Sequence, residues 1–348
     1  MSPFILAFLM TGLGLGTTIT LASSHWFLAW MGLEINSLAL LPVMAQHHHP
    51  RAVEATTKYF LTQAAAASLI LFATITNAWT TGHWEIMQES HPASTALLTL
   101  ALALKMGLAP MHAWLPEVLQ GLDLTTGLIV STWQKIAPFA LMVQMYPHNP
   151  TLLVLTGVLS SLIGGWGGLN QTQLRKVLAY SSIAHLGWMA LVLQFSTTLA
   201  LLTLTMYFIM TFSLFLTLKL KKATTINSLA TSWSKIPILT ALTPLILMSL
   251  GGLPPLSGFM PKWLILQELT KQDIAPTATL MALSALLSLY FYMRLSYAMT
   301  LTIYPNNTTG TLPWRLTSLQ LTFPVAISTS MTILLLPLAP AAYTLTCL

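Results

Sequence analysis

Long apolar runs joined by short polar stretches cover this chain from one end to the other. Eleven apolar segments can be marked, at roughly 3–21, 25–45, 59–79, 95–117, 125–146, 151–169, 177–194, 199–218, 238–268, 276–303 and 322–345. About twenty residues of helix cross a bilayer, so each segment has the length of a span. The joints are too short to hold a soluble domain. The pattern predicts an all-α integral membrane protein with about eleven transmembrane helices. An odd number puts the termini on opposite sides.

Two segments depart from a plain apolar helix. Leu100 to Pro116, LALALKMGLAPMHAWLP, sets Lys105 in mid-run and follows it with Gly107, Pro110, His112 and Pro116. The segment 238–268 is too long for one straight crossing and contains LGGLPPLSGFMPK, with Gly251, Gly252, Pro254, Pro255, Gly258 and Pro261 ahead of Lys262. Proline removes a helical donor and clashes with the preceding turn, so both runs should break. Each break has a lysine near it. The broken spans are the fourth and the ninth, so they cross in opposite directions. Interrupted segments at matching places in two halves point to an antiporter-like inverted repeat with two discontinuous helices. The half-repeats run roughly over 25–146 and 177–303, with an extra C-terminal helix at 322–345.

Composition narrows the class further. The 348 residues are 55% hydrophobic and only 6% charged, and mean hydropathy is +0.73. A soluble surface needs roughly a quarter of its residues charged. The start, MSPFILAFLMTGLGLG, has no Lys or Arg ahead of its apolar run and reads as a first span, not a signal peptide. The net charge of +6 is not gathered into a basic face with stacking aromatics, which argues against nucleic acid. It sorts by side instead. Joints on one side hold Arg51, Lys58, Arg175, Lys176, Lys219, Lys221, Lys222, Lys235 and Arg315; joints on the other hold Lys271 with Glu85, Glu89 and Asp273. Basic joints face the matrix or cytoplasm, which places the N-terminus there.

Lys105, Lys135, Lys262 and Arg294 remain inside spans, together with Glu34 in FLAWMGLEINSLALLP. An ionisable group at membrane depth costs at least ~2.5–3.5 kcal/mol on insertion scales, so each marks a functional-site candidate. Glu34 reads as a proton-exchanging acid paired with Lys105. Lys135, in STWQKIAPFAL, and Lys262, after the second break, read as further proton carriers, because a buried lysine exchanges its proton readily. A half-helix ending before Lys262 offers its carbonyls to the cation. His112 lies seven residues after Lys105, on the same face if the helix continues, and histidine is a residue type suited to relaying protons; His185 is a weaker relay candidate. Arg294, an arginine and so permanently charged, reads as an anchor or a field-setting charge, not a carrier. Ion pairs that only fix packing are the competing reading.

Other features carry less. Adjacent histidines at His47, His48 and His49 share no helix face. The sequons at Asn170 and Asn307 fall on the matrix-facing side. Gly164, Gly165, Gly167 and Gly168 precede no phosphate-loop Lys and read as close helix packing. The one cysteine, Cys347, forms no internal disulfide, and no Cys/His spacing suggests a bound metal.

The stretches SSHWFLAWMGLEIN, EATTKYFLTQA, KMGLAPMHAWLPEVLQG, STWQKIAPF, GGWGGLNQTQLRKVLAYSSIAHLGW, LSLGGLPPLSGFMPKW and LYFYMRLSY, spread over the whole chain, resemble the antiporter-like membrane subunits of mitochondrial NADH:ubiquinone oxidoreductase, respiratory complex I, in their eleven-helix animal form. The resemblance implies a core membrane-arm subunit of a proton-pumping enzyme of the mitochondrial inner membrane. It implies Glu34 and Lys105 as a coupled acid–lysine pair, Lys135 as the connecting lysine, Lys262 as the distal lysine and His112 as the histidine after the first break. It also implies no cofactor on this chain, with NADH, FMN, iron–sulfur clusters and ubiquinone handled by other subunits. Partners are then the other membrane-arm subunits, including neighbouring antiporter-like chains, and the lipid bilayer, cardiolipin included. A stand-alone cation/proton antiporter and a structural spacer in the same complex share these features and stay open.

Overall fold

Helices account for nearly all of the regular structure. The computed structural model describes residues 2–46, 49–87, 91–145, 150–234, 236–301 and 322–347. His47, His48, Glu89, Lys235, Asn307 and Arg315 lie outside the described residues, as do the last residues of the expected 125–146 and 276–303 segments. In chain order the helices are α1 (Pro3–Ala22), α2 (Trp26–Met44), α3 (Pro50–Thr81), α4 (Pro92–Met106), α5 (Trp114–Gly121), α6 (Leu124–Ser131), α7 (Trp133–Gln144) and α8 (Pro150–Gly168). They continue with α9 (Leu174–Leu193), α10 (Thr197–Lys221), α11 (Ile226–Ala230), α12 (Pro237–Gly251), α13 (Phe259–Lys271), α14 (Ala275–Thr300), α15 (Phe323–Leu334) and α16 (Ala339–Cys347).

Seven described helices, α1, α2, α3, α8, α9, α10 and α14, are long and apolar enough to cross a membrane unaided; α4, α12 and α15 are shorter apolar helices. Their starts follow local chemistry. Pro3, Pro50, Pro92 and Pro237 open helices where an N–H has no partner to lose. His25 and His49 cap the next two starts, their Nδ1 atoms accepting from the Phe27 and Arg51 amides at 3.2 Å.

The chain divides into two compact units, one of residues 1–160 with 193–195 and the other of 161–192 with 196–348. In the first, α1 packs along α2, and α3 packs on α2, α4 and α5. The α1–α2 crossing is close: a Cβ on Gly16 falls 2.8 Å from the Gly32 carbonyl oxygen and the Asn36 amide nitrogen. Small residues permit this backbone approach where lipid supplies no hydrophobic drive between helices. In the second unit, α12 packs on α14, and α10 packs on α12, α15 and α16. Here the expected packing glycines act as such. A Cβ on Gly164 falls 2.6 Å from the Ala184 amide nitrogen, and Gly167 and Gly168 lie against the rings of Tyr180 and Phe291.

Four expected segments are not single helices. Both Gly/Pro runs break as anticipated, between α4 and α5 and between α12 and α13. The 125–146 segment also divides, at Thr132 (φ −116°, ψ −70°), where no Gly or Pro stands. The 322–345 segment is interrupted by a short 3₁₀ turn at Leu336–Leu338. Arg51 and Lys58, expected in a joint, lie on α3, whose 32 residues begin well before position 59.

Candidate functional site

Helix α4 ends because Gly107 takes φ +83°, a left-handed conformation that glycine adopts without a Cβ clash. The Gly107 and Leu108 amides both fold back onto the Ala103 carbonyl at 2.9 Å. The Leu104 carbonyl accepts from the Gly107 amide at 3.2 Å and from the Trp114 indole at 3.0 Å. After a cis Ala109–Pro110 peptide the chain restarts as α5. Lys105 therefore occupies the last turn of a terminated helix, 6% exposed, at the carbonyl end where a cation is favoured.

Lys135, in the first turn of α7, is 2% exposed. Lys105 and Lys135 line one enclosed cavity of about 10 Å³, shared with Ser37, Tyr59, Gln63 and Gln134. That volume suits a single water molecule. Gln134 is held by donating to the Asn36 side-chain oxygen at 3.2 Å. Gln63 is 5% exposed, and its Nε2 has no hydrogen-bond partner. A buried donor left unmade costs roughly 1–3 kcal/mol, which favours water at this point. Glu34 stands one step back: Ser37 donates to its Oε2 at 3.2 Å, and the carboxylate acts on Lys105 and Tyr59 by charge. The acid and the lysine are not a contact pair. Among the described residues, ion pairs within 4 Å join Lys58 to Glu54 and to Glu117, each at 2.7 Å, and Lys271 to Glu268 at 3.5 Å.

His112 departs from expectation. The helix does not continue through Gly107, so His112 shares no helical face with Lys105. It sits half-buried in the turn, its Nδ1 3.2 Å from the Pro110 carbonyl, and does not line the cavity.

In the second unit, α12 ends at Gly252 (φ +80°), and a cis Pro254–Pro255 peptide precedes α13. Lys262, half-buried on α13, donates to the Gly251 carbonyl at 2.7 Å. Gly252 is favoured by its φ, and a Cβ there would fall 2.7 Å from Lys262 Cδ, so the lysine side chain would have to shift. Arg294 donates to the Leu169 carbonyl just beyond α8. The His185 ring lies 5.6 Å from that of Tyr207.

Sequence reasoning missed three participants. Gln63 and Gln134 form the polar wall between the lysines; Gln63 stands four residues after Tyr59 on one face of α3, a spacing visible in the sequence. Lys221, expected among the joint cations, is buried instead at 2% exposure. Among the described residues no three His, Cys, Asp or Glu side chains are grouped to hold a metal ion.

Known proteins match this arrangement closely. Residues 23–288 fit the family described as NADH:quinone oxidoreductase/Mrp antiporter, transmembrane, and residues 289–343 fit NADH dehydrogenase subunit 2 C-terminus. NADH-ubiquinone oxidoreductase chain 2 of Tetraodon nigroviridis is 73% identical over 345 residues, 99% of each chain; that of Oncorhynchus mykiss is 68% identical over 98% of each. A chain of respiratory complex I from Thermus thermophilus with bound aureothin superposes with a TM-score of 0.87 at 27% identity, over 99% of this chain and 80% of that one. A chain of the Mrp complex from Dietzia sp. shares the fold, with a TM-score of 0.82 at 16% identity over 97% of this chain and 76% of that one. The chain belongs to the NADH:quinone oxidoreductase/Mrp antiporter membrane family and, within it, to the chain 2 subunits of respiratory complex I.

Proposed function

We propose that this subunit moves protons through Glu34, Lys105 and Lys135 in its first unit and Lys262 in its second, driven by electron transfer elsewhere in complex I. One observation carries the reading: two buried lysines share a water-sized polar cavity, with a glutamate one serine away. Two unit charges ~7 Å apart at an effective dielectric of about 20 interact by roughly 2.4 kcal/mol. A change at Glu34 of that size resets how firmly Lys105 holds its proton. A water in the cavity then offers Lys135 as the acceptor. Moving one charge across 100 mV takes about 2.3 kcal/mol, so one such step matches the work required. His112 is given a weaker place, at the mouth of the break rather than in the chain of carriers.

The same reading puts NADH, FMN, iron–sulfur and ubiquinone chemistry on other subunits. It puts neighbouring antiporter-like chains and membrane lipid, cardiolipin among it, against this chain's apolar faces. The membrane is the mitochondrial inner one, with the N-terminus on the matrix side.

Lys105→Met in the assembled complex tests it. The expected result is intact assembly with fewer protons moved per electron. An unchanged proton-to-electron ratio rejects the relay and leaves a spacer. Ion uptake by the isolated chain in liposomes favours a stand-alone antiporter instead.

A further inference from the structure

The second break is tied to a helix that the relay above does not use. Ser257, in the loop between α12 and α13, is fully buried, and its hydroxyl donates to the Thr332 carbonyl of α15 at 2.6 Å. A serine at a helix start ordinarily turns its oxygen onto the first free amides. Here Gly258 precedes α13 and no side chain caps it, while the serine hydroxyl is directed outward. The acceptor is also an end group. Thr332 is buried in the last turn of α15, where carbonyls lose their helical amides. Pro337, in the 3₁₀ turn that follows, has no N–H to offer. In lipid such a carbonyl must be satisfied from within the protein. One bond therefore serves both the end of α15 and the loop of the break.

The backbone bonds of the loop stay within its own hairpin. The Gly252 amide donates to the Ser249 carbonyl at 2.9 Å, Leu253 to Met248 at 3.2 Å, Leu256 to Leu253 at 3.0 Å and Phe259 to Leu256 at 3.1 Å. They close α12 and open α13 without tying either to a third element, which Ser257 does. The next residue, Gly258, packs so tightly on α12 that a Cβ there would overlap the Ser249 carbonyl oxygen, and it would meet Met210 Sδ of α10 at 3.0 Å. The loop is wedged among α10, α12 and α15.

Lys262 stands in the first turn of α13, five residues after Ser257, and reaches back to the Gly251 carbonyl at 2.7 Å. That reach needs the start of α13 fixed against the end of α12. The first break makes no such demand. Lys105 lies before its gap, so its place does not depend on the restart. His112, the fifth residue after Gly107 as Ser257 is the fifth after Gly252, keeps to its own loop, with Nδ1 3.2 Å from the Pro110 carbonyl.

We propose that Ser257 is a positioning residue for Lys262, and that α15 is the support that holds the second break in register. With the start of α13 pinned, a change of protonation at Lys262 moves the side chain on its carbonyl seat and leaves the backbone in place. The inference rests on the relay proposed above and adds the helix that steadies the second unit's carrier.

The test compares Ser257→Ala, Lys262→Met and the double variant in the assembled complex, reading assembly and protons moved per electron. Ser257→Ala deletes one oxygen and adds no bulk. It should assemble and lose part of the proton ratio that Lys262→Met loses. The double variant should fall no lower than Lys262→Met alone, because the serine acts through the lysine. A parental ratio in assembled Ser257→Ala overturns the positioning role, and so does a double variant below Lys262→Met. Hydrogen–deuterium exchange decides the case even where Ser257→Ala does not assemble. In Lys262→Met the start of α13 should stay as protected as in the parental complex; faster exchange there means that the lysine holds the break and α15 does not. A parental ratio in Lys262→Met overturns the Lys262 step of the relay and the positioning role with it. A lowered ratio there beside a parental one in Ser257→Ala removes the positioning role alone.

Discussion

The two helix breaks are built on one backbone plan with the charge moved across the gap. In the first, a left-handed Gly107 is followed three residues on by cis Pro110 and four further on by the restart at Trp114; in the second, Gly252, Pro255 and Phe259 keep the same steps. A carbonyl at the end of the first half-helix takes a side-chain donor each time. The Trp114 indole supplies it at Leu104, and the Lys262 ammonium supplies it at Gly251. The fourth residue of the restarted helix is Glu117 in one and Lys262 in the other. Glu117 turns out to a surface pair with Lys58, whereas Lys262 turns back into the break. The lysine proposed as a carrier precedes the first break and follows the second. The template fixes where carbonyls are exposed, and charge placement on it varies freely, because either side of the gap puts a cation beside them.

The strongest way to break this comparison is at the two glycines. Alanine at either must adopt a left-handed conformation, at a cost of about 1–2 kcal/mol. At Gly107 the added Cβ meets Leu115 Cδ1 at 3.3 Å, so that side chain must give by a few tenths of an ångström; at Gly252 it meets Lys262 Cδ at 2.7 Å and Nζ at 3.0 Å, so the end of the flexible lysine must shift from its seat on the Gly251 carbonyl. Gly252→Ala should therefore lose complex yield and also lower protons moved per electron in what assembles. Gly107→Ala should lose yield only. Equal proton ratios in the two variants would mean that the lysine's seat on the carbonyl is incidental.

Next in size is the exchange of donors. Trp114→Phe removes the indole donor from the Leu104 carbonyl, which keeps the Gly107 amide at 3.2 Å, a loss of about 0.5–1.5 kcal/mol. Lys262→Met does the same at Gly251 and also removes the charge. Both should reduce yield modestly on a native gel, and only Lys262→Met should reduce the proton ratio. If Trp114→Phe reduces it equally, the shape of the break carries the coupling and the lysine does not.

The sequence made both breaks legible because Gly and Pro act on the backbone wherever they stand, independent of neighbours. The division at Thr132 was not legible. No Gly or Pro stands at that point, and the visible proline, Pro138, sits inside α7. His112 would share a face with Lys105 only in a helix that continued through Gly107, and α4 ends there. Lys221 was misread by composition: a basic run at a span end resembles a solvated joint, and only the four-and-three spacing from Tyr207 showed otherwise. Lys105, Lys135 and Glu34 stood out as charges in apolar runs, but the cavity between the lysines depends on Gln63 and Gln134, whose chemistry is unremarkable until the fold brings α3 and α7 together.

The smallest expected effect is at Glu117, and it sharpens the comparison most finely. Glu117 and Lys262 occupy matching places in their restarts, so a relay that ran through that place in both units would need the glutamate's charge. The structure gives it another use. Its side chain is 53% exposed and Lys58 is 41% exposed, with Glu54 holding Lys58 from the other side. Exposed pairs contribute little, and one remaining partner keeps most of the geometry. Glu117→Gln should assemble and move protons at the parental ratio, with a slightly greater sensitivity of yield to salt. A proton ratio as low as that of Lys262→Met would put Glu117 among the carriers and make the two breaks alike in chemistry as well as in backbone.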